Sequence, residues 1–132
     1  MDEDSRTILD KILQKCQYLQ NTHGCIIWTG ATSNAGRYGR MRNPFKNLIN
    51  QPSTMSVHRL VYLLHNINIF SDKKIPNFGV DGEVLHVSHI CHNSLCVNID
   101  HLILEPQKTN NEREACNAQK HCLGTHLPIC LL

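Results

Sequence analysis

The chain has 132 residues, of which 41% are hydrophobic and 18% are charged, and these values are typical of one globular domain. Its formal net charge is only +2, so binding to nucleic acid would have to depend on a local basic surface rather than on overall charge. No apolar run is long enough to span a bilayer, and the acidic, polar start MDEDSRTILD is unlike a secretory signal. We therefore expect an intracellular protein that does not enter a membrane.

The amino-terminal segment is predicted to form an amphipathic helix. Residues 6–19, RTILDKILQKCQYL, place apolar side chains at helical spacing, so that one face would pack on the body of the protein. Asp4 or Ser5 is a suitable residue to cap its amino terminus. Cys16 is then most simply a buried apolar residue of this helix.

Two strands and a second helix are predicted next. Residues 24–30, GCIIWTG, are typical of a short strand that ends at a glycine turn, and residues 37–43, RYGRMRN, of a second strand. The polar residues between them suit a hairpin loop, whereas residues 45–55 show no regular pattern. Residues 56–66 are predicted to be helical, with Ser56 as a cap.

The later part of the chain is predicted to contain two strands and a helix. Gly, Pro, Asp and Asn mark residues 71–83 as a loop. Residues 84–88 and 102–105 are predicted strands, and residues 107–119 form a predicted polar helix after Pro106. We therefore predict a single α+β domain over 1–132, with an amino-terminal helix in 1–22, a hairpin and helix in 24–66, a strand–strand–helix core in 84–113 and a Cys- and His-rich loop in 116–130.

Basic residues are concentrated in the first half of the chain. Between Lys11 and Ser71 there is no Asp or Glu, but there are seven Lys or Arg residues. This distribution indicates a basic face that is suited to the phosphate backbone of a nucleic acid, although a merely solvated basic surface is the alternative. The seven residues are Lys11, Lys15, Arg37, Arg40, Arg42, Lys46 and Arg59.

The cysteines indicate metal binding. Seven Cys residues form an odd number, and no signal segment precedes them, so metal binding in a reducing compartment is favoured over a disulfide scaffold. Zinc takes four thiolate or imidazole ligands in a tetrahedron and contributes its binding free energy to folding. A disulfide arrangement of the five later cysteines, at positions 91, 96, 116, 122 and 130, is the alternative.

Two sets of zinc ligands can be assembled from the spacing. The stretch 87–102, VSHICHNSLCVNIDHL, supplies three local ligands, and a cysteine next to the first strand is the natural fourth. The second set is complete within the carboxyl-terminal loop. His92 could replace the His of the first set, and His121 could replace the His of the second. The two predicted sets are Cys25, Cys91, Cys96 and His101, and Cys116, Cys122, His126 and Cys130.

One histidine of this stretch is left over for chemistry. If zinc takes the first set of ligands, His89 is free, and a neutral imidazole held at one nitrogen can accept a proton from water at the other. His89 is therefore a candidate general base for hydrolysis. The alternative is a buried or hydrogen-bonded structural histidine.

The segment SHICHNSLCVNIDHLILEPQKTNNEREAC closely resembles the core of the His-Cys box homing endonucleases. These enzymes are a branch of the His-Me finger, or ββα-metal, nucleases and are related to HNH enzymes. The upstream segments GCIIWTGATSNAGRYGRM and VHRLVY resemble segments that precede the same core in zinc-binding HNH-like endonucleases. The resemblance covers roughly residues 24 to 130.

The resemblance implies a DNA endonuclease with a ββα-metal core, two structural zinc ions and one catalytic Mg²⁺. His89 would be the general base that activates water, and Asn110 would be the protein ligand of Mg²⁺, a role that Asn111 could take instead. An arginine on an upstream strand, Arg37 or Arg40, would reach the scissile phosphate. The two predicted zinc sets would be the structural sites.

The resemblance also bears on partners. Double-stranded DNA would be the substrate, a homodimer would be needed to cut both strands of a palindromic site, and the nucleus is the suspected location. A zinc-stabilised DNA-binding module without nuclease activity is the alternative, and a protein-interaction module is a third class. The predicted DNA contacts are Arg37, Arg40, Arg42 and Lys46, with Asn43 and Asn47 as possible base readers.

Overall fold

The computed structural model describes residues 1–20 and 23–132. In that part of the chain there are three α-helices and three two-stranded antiparallel sheets, so the predicted α+β class is confirmed. The two Cys- and His-rich groups of the prediction are also assembled. No α-helix in the described part of the chain is both long and apolar enough to cross a bilayer.

Helix α1 spans Glu3–Leu13 and is shorter than predicted. Its cap is Asp2, whose carboxylate accepts a hydrogen bond from the Ser5 backbone N–H at 2.7 Å, so the expected caps Asp4 and Ser5 are wrong. Glu3 and Asp4 in its first turn and Lys11 in its last complement the helix dipole. Residues 21–22 of the predicted first segment lie outside the described residues.

The chain leaves the helix after Leu13 and forms a strand that the sequence did not reveal. Strand β1, Cys16–Tyr18, pairs with β2, Ile26–Trp28. Cys16 is therefore half-buried in a strand, and its thiol donates to the Ile12 carbonyl at 3.2 Å. The helical spacing of its neighbours is overridden because the pairing with β2 satisfies the backbone polar groups of this segment.

The predicted hairpin between residues 24–30 and 37–43 is wrong in its pairing. The second edge of strand β2 pairs with the loop that joins the two strands of the last sheet, where the Trp28 N–H donates to the Leu95 carbonyl at 2.9 Å. Between residues 31 and 40 the structure has one isolated β-bridge, from Thr32 to Gly39. Strand β3, Arg40–Arg42, pairs instead with β4, Thr54–Ser56, which lies in the stretch that showed no regular pattern. Because both edges of β2 are occupied, β3 needs another partner.

The core is centred on helix α2, Val57–His65. Ser56 precedes it but makes no capping hydrogen bond with its side chain; its hydroxyl accepts from Arg40 instead. The apolar face of α2 packs against α1, the Trp28 ring and the last sheet. The most deeply buried apolar side chains of α2 are Val57, Leu60, Val61, Leu63 and Leu64.

The last sheet and helix form the predicted strand–strand–helix unit. Strand β5, Leu85–His89, runs antiparallel to β6, Leu102–Pro106, and His89 pairs with Leu102. Helix α3, Gln107–Gln119, follows directly and packs on both strands. The β5–β6 loop is the His- and Cys-rich stretch, so this unit carries the candidate site.

Candidate active site and metal centres

The first ligand group joins three separate parts of the chain. Cys25 precedes β2, Cys91 and Cys96 lie in the β5–β6 loop, and His101 ends a 3₁₀ turn before β6. Their four ligand atoms lie within 4.8 Å of one another. The Nδ1 atom of His101 is 3.7 Å from the sulfur of Cys25 and 3.4 Å from that of Cys96.

Backbone pairing and a shared proton prepare this group for a metal. The Val97 N–H donates to the Ile26 carbonyl at 2.7 Å, which fixes the β5–β6 loop against β2. Hydrogen bonding from the Cys91 thiol lowers the pKa of Cys96 to about 5 and raises the pKa of Cys91. Thiolate character at Cys96 suits a zinc ligand, because the metal binds the deprotonated form.

The second group is local. Cys116 lies near the end of α3, and Cys122, His126 and Cys130 follow within the carboxyl-terminal loop, again with ligand atoms within 4.8 Å. The His126 Nε2 atom is 3.5 Å from Cys116 Sγ, 3.9 Å from Cys122 Sγ and 3.7 Å from Cys130 Sγ. Cys116 and Cys122 sulfurs are 3.9 Å apart, far beyond the disulfide bond length of about 2.05 Å.

Backbone N–H groups stabilise negative charge at the second group. The Leu123 N–H donates to Cys116 Sγ at 3.2 Å, and the Cys130 N–H donates to Cys122 Sγ at 3.4 Å. Hydrogen bonds from the backbone N–H groups of Cys130 and, more weakly, Gly124 lower the pKa of Cys122, whereas burial raises the pKa of Cys130 to about 12. A bound cation would remove that penalty for Cys130.

A buried ion pair ties the second group to the last sheet. Arg113 on α3 donates through Nε and Nη2 to the Glu105 carboxylate on β6 at 2.6 and 2.9 Å. Its third nitrogen, Nη1, donates to Cys130 Sγ at 3.6 Å. Arg113 and Glu105 are 1% and 5% exposed, so this guanidinium joins β6, α3 and the carboxyl-terminal loop without solvent.

Both groups fit zinc. Tetrahedral zinc with Zn–S of about 2.3 Å and Zn–N of about 2.0 Å places its ligand atoms about 3.5–3.8 Å apart. The S···N separations of 3.4–3.9 Å in the two groups agree with that geometry. The structure therefore contains two Cys₃His zinc-binding groups. All seven cysteines are thiols, so the disulfide alternative is not realised.

The rival histidines lie outside these groups. His92 is half-buried with a positive φ of 61°, and its Nε2 atom is buried without a partner among the described residues. His121 is exposed, and its Nδ1 atom contacts the Gln119 carbonyl at 3.1 Å. The ligand positions are occupied by His101 and His126 instead.

His89 closes β5 beside the first group without joining it. Its Nε2 atom lies 3.1 Å from the Cys96 carbonyl oxygen. Because a carbonyl only accepts, Nε2 carries the proton and Nδ1 is left as the basic nitrogen. Burial lowers the pKa of His89 to about 4, so its ring is neutral at pH 7, as a general base requires.

Two aromatic rings hold His89 in place. The His58 ring on α2 lies 4.5 Å from the His89 ring, and the Tyr38 ring stacks on both, at 5.5 Å from His58 and 6.4 Å from His89. Burial keeps the pKa of His58 well below its usual value. The two imidazoles therefore pack as neutral rings, and no sequence periodicity indicated this contact.

Asn110 faces the sheet, and its neighbour does not. The Ser88 hydroxyl donates to Asn110 Oδ1 at 2.9 Å, and Ser88 is 2% exposed. Asn110 is half-buried, whereas Asn111 is exposed. Because a carbonyl oxygen has two lone pairs, Asn110 Oδ1 retains one for a hard cation such as Mg²⁺, which prefers oxygen ligands.

The two candidate phosphate-contacting arginines differ in their surroundings. Arg37 is exposed, and its guanidinium carbon lies 5.3 Å from the centre of the Tyr38 ring. Arg40 is half-buried in β3, where it donates to Thr54 Oγ1 at 2.8 Å and to Ser56 Oγ at 3.2 Å. Neither arginine meets a carboxylate in the part of the chain that the structure describes.

Of the other predicted DNA contacts, Arg42, Lys46 and Asn47 are exposed. Asn43 is not available as a base reader, because it is 1% exposed. Its amide donates to Gln51 Oε1 and the Pro52 carbonyl, and its oxygen accepts from the Phe45 N–H. The role of Asn43 is thus to shape the loop between β3 and β4.

The comparison with protein families agrees with this geometry. A family model described as the zinc-binding loop region of homing endonuclease matches residues 25–130. The matched region begins at the first cysteine of one ligand group and ends at the last cysteine of the other. No curated protein matches the chain.

Proposed function

Because the chain belongs to the family of the homing endonuclease zinc-binding loop region, we propose that it is a Mg²⁺-dependent endonuclease of double-stranded DNA. The observation that carries the proposal is the position of His89, which is held outside the first Cys₃His group with one ring nitrogen still basic. A histidine needed only as a zinc ligand would have joined that group. Both Cys₃His groups serve as structural staples, since four protein ligands leave zinc no open position.

In the proposed reaction, Nδ1 of His89 takes a proton from a water molecule as the water oxygen attacks the phosphorus atom. The bond from phosphorus to the leaving oxygen breaks, and that oxygen is protonated by solvent. The Cys96 carbonyl keeps the proton on Nε2 and fixes the plane of the ring. His58 and Tyr38 prevent the ring from turning away, which is the positional precision that general-base catalysis needs.

Asn110 would be the protein ligand of the catalytic metal, with Ser88 holding its carbonyl oxygen in position. When bound, Mg²⁺ would stabilise the negative charge that develops at the phosphate during cleavage. One neutral protein ligand is a weak site by itself, so DNA phosphate has to complete the coordination. Metal binding and substrate binding are therefore coupled.

The proposed arginine contact to the scissile phosphate falls to Arg37 or Arg40. Arg37 is supported by its place on Tyr38, whose ring stacks on His89. Arg40 is supported by its anchored guanidinium, because two neutral hydroxyls orient the fork without cancelling its charge. Arg42 and Lys46 would contact the flanking backbone.

Plasmid cleavage with and without Mg²⁺ tests the proposal. We expect the parent to nick or cut supercoiled DNA with Mg²⁺, His89→Ala to lose activity, and Asn110→Ala to lose most of it. His65→Ala and Asn111→Ala, at exposed positions, are the matched controls and should cut like the parent. Each protein must retain about two zinc ions and its circular dichroism spectrum. Parental cleavage by His89→Ala would refute the assignment of the base.

The same assay resolves the arginines and the alternative function. Arg37→Gln and Arg40→Gln should differ, and the variant with the larger fall in kcat at saturating DNA identifies the residue at the scissile phosphate. If the parent binds DNA but cuts none under any Mg²⁺ concentration, the protein is the zinc-stabilised binding module instead. Sedimentation of the protein on a palindromic duplex tests the proposed homodimer.

A further inference from the structure

A basic cleft lies between the β3–β4 region and the loop after α2. Its volume is about 610 Å³, and its lining contains four cationic side chains and no Asp or Glu. Two of the cations come from the β3 and α2 elements and two from the loop after α2. The four are Arg40, Arg59, Lys73 and Lys74.

Three of the four cations of this cleft, Arg40, Arg59 and Lys74, form no ion pair with a carboxylate of the described residues, whereas Lys73 lies near enough to Asp2 to help lower the pKa of that carboxyl. Arg59 is half-buried on α2, yet the ion pair found within residues 1–20 and 23–132 joins Arg113 to Glu105 elsewhere. Arg40 donates only to neutral hydroxyls, and Lys74 donates to the Asn50 carbonyl at 3.0 Å. Half-buried cations without a carboxylate are costly unless an anion joins them.

The walls of the cleft are fixed rather than loose. The Gln51 side chain donates to the carbonyls of Asp72 and Lys73 at 3.2 and 2.9 Å, so the β3–β4 loop is tied to the loop after α2. The buried Asn43 in turn holds Gln51. The four cations are therefore presented by a built surface, which lowers the entropy cost of binding an anion.

We propose that this cleft binds the phosphodiester backbone of the DNA on one side of the cleavage site. This inference rests on the proposed function and extends it to Arg59, Lys73 and Lys74. The cleft begins at Arg40, two residues after the Tyr38 that stacks on His89. A volume of about 610 Å³ exceeds that of a single phosphate, and the short segment from Tyr38 to Arg40 connects the cleft to the ring that stacks on the candidate base.

Binding measured without cleavage tests the cleft. Fluorescence anisotropy with a labelled duplex, in Ca²⁺ in place of Mg²⁺, gives Kd as a function of salt for Arg59→Gln, Lys74→Gln and the double variant. Arg6→Gln and Lys120→Gln, at exposed positions outside the cleft, remove the same charges. Each single cleft variant should raise Kd about three- to tenfold and lower the salt slope by about one, and the double variant should lower the slope by about two, equally on two unrelated DNA sequences.

The outcomes separate this inference from the nuclease itself. If the parent cuts DNA but the cleft variants bind like the control variants, the cleft inference is overturned and the nuclease stands. If the parent binds a matched RNA duplex but not DNA, both fail. Zinc content and circular dichroism verify folding. Should Arg59→Gln misfold, Lys74→Gln decides alone, because its partner is a backbone carbonyl at the edge of the cleft.

Discussion

Replacement of Arg113 by Met should weaken both the fold and the second zinc group. In the native protein this guanidinium contacts two partners, the Glu105 carboxylate and the Cys130 sulfur, and the sulfur becomes anionic when zinc binds. Arg113→Met leaves a carboxylate that is 5% exposed without its cation. Removing one partner of such a pair costs about 3–5 kcal/mol, a large part of the about 5–15 kcal/mol that stabilises a typical domain.

Because Arg113 also contacts Cys130, replacing Arg113 should cost more stability than replacing Glu105. Glu105→Leu leaves Arg113 in contact with Cys130, so its cost should be the smaller of the two. The double variant Arg113→Met/Glu105→Leu removes both charges and should be more stable than Arg113→Met alone. Zinc affinity of the second group should fall about 10–100-fold wherever Arg113 is absent, and should stay near the parental value in Glu105→Leu.

Urea unfolding at fixed free zinc and zinc competition with a chromogenic chelator measure these two effects. Arg6→Met is the control, because Arg6 is an exposed arginine of α1. The reasoning fails if Arg113→Met has the parental free energy of unfolding and parental zinc affinity. The reasoning also fails if the destabilisation of the double variant equals the sum of the two single destabilisations, because additive costs would mean that the two residues do not interact.

Four further changes test the packing and the metal sites. Ser88→Ala removes the hydrogen bond to Asn110, so the Mg²⁺ concentration for half-maximal cleavage should rise more than the maximal rate falls; an unchanged Mg²⁺ titration would count against Asn110 as the ligand. Gly39→Ala would place a methyl group 2.6 Å from Cδ1 of Trp28, and this overpacking should lower the free energy of unfolding in urea by about 1–3 kcal/mol. Leu64→Ala should lower it by about 2–5 kcal/mol, because it leaves a cavity instead. Removal of zinc by a chelator should abolish the cooperative thermal transition seen by circular dichroism, and added zinc should restore it; a transition that persists without zinc would show that the staples are dispensable.

The two zinc-binding groups and the strand–strand–helix unit of β5, β6 and α3 could be predicted from the sequence, because few structures other than a metal site require so many Cys and His residues. Cys and His at close spacing, beside so little apolar sequence, are of use mainly to a metal. The predicted helix over 107–119 coincides with α3, since Pro106 marks its start and its polar sequence has no competing strand pattern. The resemblance alone distinguished Asn110 from Asn111 as the metal ligand, and this assignment stays a prediction; the Ser88 hydrogen bond shows that Asn110 faces the sheet.

The pairing of the short strands could not be predicted. Three-residue strands such as β1, β3 and β4 carry too few residues for a period, and their partners are chosen by tertiary contacts. From the sequence, Asn43 is predicted to be a turn or surface residue, whereas in the structure it is buried and makes three hydrogen bonds. The sequence predicts His58 only as a residue of a helix and does not indicate that its ring packs against the candidate base, His89.

The two zinc-binding groups differ in how much chain each must gather, and this difference sets an order of assembly. Cys116 to Cys130 span one short stretch, so that group can capture its ion as soon as the stretch exists. Cys25 and His101 are separated by 76 positions, and closing so long a loop demands that the intervening strands and α2 have already collapsed. Occupancy of the long-range group is thus a late event that reports a completed domain, whereas occupancy of the local group does not.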